Sequence, residues 1–347
     1  MPDRARRAGG RATGDRRTAV TTVRGGIRVM TLAAALSVIV GGVTACSEAD
    51  TGSPPGPGSV TTTTTAIGGA DLVTPERYFD RACGTESSPD PGKSDVARIA
   101  VADPALLDAV CALGIQSKVV AVAADRGTIP RYLGPTVTSL PTIGARPDAA
   151  AAAGARAEVV LGSSQAQTAP YGGRSVVISE SATWQDQFRQ VADALGRGEE
   201  GEKRLATFAD QARRVGARVD ASHSQIGLVR FGADSEQIAG TASFAGSILA
   251  AMGAQRPQSQ RGAGPVTVTD KNFDDADADL VYVSFTSQKG QEHGTSVLRS
   301  DRWLDLGAAG GKRVFVVDDD IWYGRRGLAA APVVLDDIQR SINGYSS

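Results

Sequence analysis

The chain has 347 residues, only 5% of them aromatic, and its formal charge of −1 hides a division. Residues 1–45 carry eight arginines against Asp3 and Asp15, a net +6, which leaves −7 on the remainder. An acidic body excludes a nucleic-acid binder, whose affinity comes from neutralising phosphates, and the roughly 280 residues beyond residue 70 suffice for two lobes of ordinary size.

In chain order, the basic opening leads to an apolar run, Val29–Val40, and this pairing reads as a secretory signal over 1–45. Twelve helical residues span about 18 Å, short of the roughly 30 Å of a bilayer core, so a permanent membrane span is not expected. The segment Val43-Thr44-Ala45-Cys46 resembles a bacterial lipobox. It predicts cleavage before Cys46 and lipid on its thiol, with the protein exported to the outer face of the cell membrane. Residues 46–70, rich in Ser, Thr, Pro and Gly, hold too few apolar groups to fold and read as a flexible tether. With Cys46 assigned to the anchor, Cys83 and Cys111 remain in an oxidising compartment. An even pair there suggests a disulfide, with two separate thiols as the alternative.

From Arg98 onward, β-rich runs alternate with helical ones. "RIAVA" is a buried strand, and Asp103-Pro104 supply an N-cap and first helical position for "DPALLDAVCALG". "KVVAVA", helix-like "DAAAAAGA", "EVVLG", "RSVVIS" and amphipathic "TWQDQFRQVADALG" follow. A long charged helix over 199–222 comes next, after which the alternation resumes with "QIGLVRFG", "SFAGSILAAMGA", "DLVYVS", "RVFVVD" and "APVVLDDIQRSI". Such βα alternation predicts mostly parallel sheets. The expected fold is α/β: an N-terminal lobe over 71–198 and a C-terminal lobe over 223–347, joined by the single helix.

The order and spacing of "LLDAVCALG", "GARPD…AEVVLG", "DADADLVYVS", "DRWLDLGAAGGKRVFVVDDDIWY" and "VLDDI" resemble the helix-linked periplasmic binding proteins that deliver ferric siderophores, haem or cobalamin to ABC importers. The resemblance covers about residues 96–342. It implies lobes that move little against each other, a monomer, and a ligand held between the lobes with no cofactor of the protein's own.

In open α/β sheets, ligands bind beyond the carboxyl ends of the strands. The residues following each strand are therefore the candidates: Arg126, Ser164, Tyr171 and Trp184 in the first lobe, and Arg230, Phe231, Phe244, Thr286, Trp322, Tyr323 and Arg325 in the second. Iron chelates are large, partly apolar and often carry carboxylates, which arginine matches bidentately while aromatic faces cover the rest. A ferric siderophore is the expected ligand. Haem is the alternative, with His293 or Tyr323 as its axial ligand. Two well-separated histidines, His223 and His293, cannot make the three-ligand set of a bare zinc site. No G-x-S-x-G elbow, Walker loop or H-E-x-x-H motif occurs, so an enzyme is not expected.

The resemblance further implies one glutamate on each lobe that meets arginines of the permease. Counting back eight residues from Glu158 and Asp279 gives Ala150 and Lys271, neither acidic. Docking to a conventional permease is thereby in doubt, and an envelope lipoprotein acting without a permease is the remaining alternative.

Overall fold

Short apolar runs such as Ile99–Val101 and Val159–Gly162 become strands buried on both faces, as parallel strands under helices are. In the computed structural model, which describes residues 66–73, 79, 82–324 and 326–343, they form two sheets. Cys46 lies outside the described residues. The N-terminal sheet has the order β4-β3-β5-β6, all parallel, from Val119–Val122, Ile99–Val101, Val159–Gly162 and Arg174–Val177. Around it lie α1 (Leu107–Ala112), α2 (Pro135–Thr138), α3 (Ala149–Gly154), α4 (Gln165–Thr168) and α5 (Trp184–Ala194).

The linking helix α6 runs over Gly198–Arg218. Its buried residues Gly201, Leu205, Phe208, Ala212, Val215 and Gly216 recur every three or four positions, giving one apolar stripe. Gly216 is required where α6 crosses the end of the next helix, since a Cβ there would collide with the Met252 carbonyl. The expected helix over 199–222 thus ends earlier, and Ala221–His223 form a separate 3-10 turn.

In the second lobe the parallel strands β7 (Ile226–Phe231), β10 (Leu280–Phe285) and β11 (Val314–Val316) form the centre of a seven-stranded sheet. Antiparallel β8 (Glu236–Ile238) and β9 (Val266–Thr267) extend one side. The helices are α7 (Phe244–Ala251), α8 (Gln288–Leu298), α9 (Asp301–Leu304), α10 (Gly307–Gly310), α11 (Asp319–Trp322) and α12 (Ala331–Asn343). In "KNFDDADA" the chain makes a 3-10 turn, Phe273–Ala276.

On the other side of that sheet the structure departs from the sequence-based boundaries. Ala66–Ile67 (β1) and Ala70–Leu72 (β2), assigned to the end of the tether and the start of the first lobe, are strands of the second lobe's sheet. β2 runs parallel to β11, pairing Asp71 with Phe315 and Leu72 with Val316, and Val73 N–H donates to the Val316 carbonyl at 2.9 Å. Gly68 and Gly69 both have positive φ, as a two-residue hairpin turn requires. Ala70 is buried, and Ile67 and Leu72 pack on the same core. A Gly-Gly pair marks linkers and hairpins alike, so composition alone placed it in the tether.

Alternation along the strands sorts the core. Ile99, Val101, Leu161, Leu228, Tyr282 and Phe315 face one large cluster that includes helical residues of both lobes: Leu107, Phe188, Phe208, Ile248 and Leu335. The lobes therefore share an apolar core. Cys83 and Cys111 are joined, with Cα atoms 4.6 Å apart. The bridge straps the segment after Ala82 along the end of α1, where Gly84 N–H and Ser87 Oγ–H also donate to the Cys111 and Leu113 carbonyls.

Candidate functional site

The candidate residues lie at or beyond the carboxyl ends of each lobe's parallel strands. On the first lobe, β4 ends in an exposed turn carrying Arg126. Asp125 accepts the Ala145 N–H at 3.0 Å, and so draws the Arg146 segment alongside that turn. Arg126, Arg131 and Arg146 are all exposed, and none has an ion-pair partner among the described residues. Ser164 is exposed but spends its hydroxyl as the N-cap of α4, accepting from Gln167 N–H.

The second lobe presents arginine differently. Arg230 makes a bidentate pair with Asp319, Nε and Nη2 each 2.7 Å from a carboxylate oxygen, and Ser284 Oγ donates to the same carboxylate at 2.8 Å. Asp319 stands at the first turn of α11, where the helix N-terminus favours its charge. The pair raises the Arg230 pKa further, so the guanidinium stays charged but is already neutralised. Its side chain also lies 5.1 Å from the centre of the Tyr323 ring. Thr286 is exposed at the end of β10.

Several expected contact residues belong to the cores instead. Phe231 is fully buried against Phe285 and Trp303, and Trp322 is fully buried on Tyr282 with its Nε1–H donating to Asp337 at 2.7 Å. Both follow or end a strand as predicted, but their side chains take the faces covered by helices. Tyr171 is buried in the small alanine-rich core beside α3, where burial raises its pKa. Phe244 is buried and meets Trp184 edge-on at 5.7 Å; Trp184 also meets Phe208 at 5.6 Å and donates to Ser247 Oγ at 2.9 Å. Trp184 is thus a half-buried joint between the lobes and the linking helix. Tyr323 is buried, and Arg325 lies outside the described residues.

For haem, His293 is held by Glu236, 3.1 Å from Nε2 to the carboxylate, and packs on Phe231. His293 is already engaged, and the Tyr323 hydroxyl is buried. Among the described residues no group of three His, Cys, Asp or Glu side chains stands ready for a metal ion.

Sequence reasoning missed Asp108, whose carboxylate is buried between the lobes. It accepts from Tyr132 Oη at 2.8 Å in its own lobe. From the second lobe it accepts the N–H groups of Ala329 at 2.8 Å and Ala330 at 3.1 Å, just ahead of α12. Gly327 is close enough that a Cβ would fall 2.7 Å from Asp108 Oδ1. Burial pushes the Asp108 pKa up; the donors of Ala329, Tyr132, Gly327 and Ala330 pull against it and lose. One charge-bearing residue inside apolar "LLDAVC" was the available signal.

This two-lobed arrangement is similar to that of solved structures. Staphylococcus aureus SirA complexed with staphyloferrin B matches with a TM-score of 0.60 and 19% identity, over 72% of this chain and 94% of that one. FhuD2 from the same organism, with bound ferrioxamine B, matches with 0.58 and 17% over 72% and 99%. These likenesses are of fold. In sequence, the Bacillus subtilis (strain 168) "probable siderophore-binding lipoprotein YfiY" is 28% identical over 181 residues, 47% of this chain and 55% of that protein. The alignment thus spans about half the length of that curated relative. Residues 142–321 match the family described as periplasmic binding protein. That match runs over slightly more than half of the sequence, and the chain belongs to the periplasmic binding protein family, whose members are extracytoplasmic binding proteins and not enzymes.

Proposed function

We propose that this protein is anchored by lipid at Cys46 outside the cell membrane and binds a ferric siderophore for import through an ABC permease. The observation that carries this reading is the three exposed first-lobe arginines, Arg126, Arg131 and Arg146, which have no ion-pair partner among the described residues. In the second lobe Arg230 is already paired. An anionic chelate fits this arrangement, gripped mainly from the first lobe. The naming of YfiY as a siderophore-binding lipoprotein and the chelates in the SirA and FhuD2 structures support the same ligand class. Held histidine and buried tyrosine make haem the weaker choice. The test is titration of Trp184 fluorescence with a carboxylate siderophore, a hydroxamate siderophore and haem, each as its ferric complex. Saturable binding of haem alone would overturn the reading.

Arg126→Ala should weaken chelate binding about tenfold or more, the value of a lost charge-assisted contact of roughly 1.5–3 kcal/mol. Isothermal titration of the folded variant checks this. Unchanged affinity would make Arg126 an ordinary surface residue.

Docking is the point on which a second reading rests. Ala150, in the first turn of α3, and Lys271 are both exposed. Nearby Asp270 is engaged by Arg302 at 2.7 Å. If permease arginines approach Lys271, like charge there opposes association by up to several kcal/mol. We expect the double variant Ala150→Glu, Lys271→Glu to stimulate ATP hydrolysis by a reconstituted siderophore permease more than the unaltered protein does. Full stimulation by the unaltered protein would remove the envelope-only alternative.

A further inference from the structure

Arg256 lies within the second lobe and is only 6% exposed. Its Nη2 donates to the Ala239 carbonyl at 2.7 Å and to Gln260 Oε1 at 2.9 Å, while Nε and Nη1, both buried, have no partner in the protein. A buried guanidinium normally faces a carboxylate, because an uncompensated charge in a medium of low dielectric constant is strongly unfavourable. Here the acids of the lobe core are otherwise engaged. Asp319 holds Arg230 and Ser284, Asp277 caps Gly307 and Ala308, and Asp337 holds Trp322.

The ionisable group whose charge does reach Arg256 is Tyr323, itself 6% exposed, with a buried hydroxyl that has no partner either. Burial lowers the Arg256 pKa to about 10 and pushes the tyrosine up. Near neutral pH the arginine is therefore charged and the phenol protonated, so Tyr323 is no counter-ion and can serve as a further donor. Two nitrogens carrying three N–H groups, and one O–H group, with a buried positive charge and no anion of the protein's own, call for an acceptor that carries no proton. Water would meet the hydrogen bonds but not the charge.

We propose that Arg256 and Tyr323 hold a small monovalent anion, a halide or a carboxylate, inside the second lobe. Two sources share this chemistry: a free ion from solvent, or a carboxylate arm of the bound chelate reaching past Arg230. The first is a property of the protein alone and stands whether or not a siderophore is the ligand.

Crystals of the mature protein soaked in sodium bromide should give an anomalous peak within contact distance of Arg256 Nε and Nη1 and Tyr323 Oη. In solution without chelate, bromide at constant ionic strength should raise the thermal midpoint by about 2–4 °C. The rise should vanish in Arg256→Gln and shrink in Tyr323→Phe, and the second variant serves if the first does not fold. If the arm is the source, bromide has no effect, and both variants lose affinity for a carboxylate chelate such as ferric citrate but keep it for a ferric hydroxamate. An absent bromide signal together with equal responses to the two chelates would overturn the proposal.

Discussion

Replacing Asp108 with alanine should cost about 3–5 kcal/mol of stability, because it strips the acceptor from a set of donors that have no other partner and no access to water. Tyr132 Oη on one lobe and the N–H groups of Ala329 and Ala330 on the other all end on this one carboxylate. The loss should therefore appear as more than lower stability. Hydrogen exchange should quicken at the start of α12 while the first lobe's sheet keeps its protection, since only the interlobe bonds are severed directly. The pH dependence has a definite sign. A carboxyl whose folded pKa is raised binds its proton more tightly in the fold than in the unfolded chain. Its contribution to stability is fullest below the ordinary carboxylate range and is lost as pH rises through the folded value. Urea unfolding of the parent and Asp108→Asn, compared at several pH values, should show the parent's relative advantage shrinking in that direction. A pH-independent difference would mean that the carboxyl does not titrate abnormally.

The second large effect concerns the bridge. Cys83 and Cys111 are 28 residues apart, and a loop of that length restricts the unfolded chain by about 3.5 kcal/mol in the chain-entropy account. The double variant Cys83→Ala, Cys111→Ala should lose stability of that order. Because Arg197 Nε–H still donates to the Ser87 carbonyl and Arg204 Nη2–H to the Thr85 carbonyl, the segment should loosen at Ala82–Gly84 before it loosens at Thr85–Ser87. Limited proteolysis would locate the new cut. A midpoint within a degree of the parent's would count against the bridge as a stabilising element.

The strands and the linking helix were legible because local pattern and burial agree: apolar runs such as "RIAVA" lie under helices on both faces, and the stripe on α6 repeats at helical spacing. The cysteine pairing followed from arithmetic and compartment. Side-chain direction was not legible. Trp322 and Phe231 sit at strand ends, but nothing local to them tells which face a large ring takes when both faces are covered. Arg230 was rightly seen at a strand end, but its partner Asp319 is 89 residues away and only the sheet brings them together. Asp108 was hidden for the same reason, its donors on the second lobe, Ala329 and Ala330, lying more than two hundred residues further on.

The hairpin at Ala66–Leu72 has a consequence for how the protein assembles. β2 finds its neighbour in β11, roughly 240 residues later in the chain. As the chain folds, the first lobe's sheet can close from strands that follow one another closely, while the hairpin waits with its pairing edge open until nearly the whole polypeptide is available. Contacts of such separation form late, and unpaired edges are where partly folded chains aggregate. This early segment of the chain is thus among the last to be seated, and a folding helper would have most to protect there.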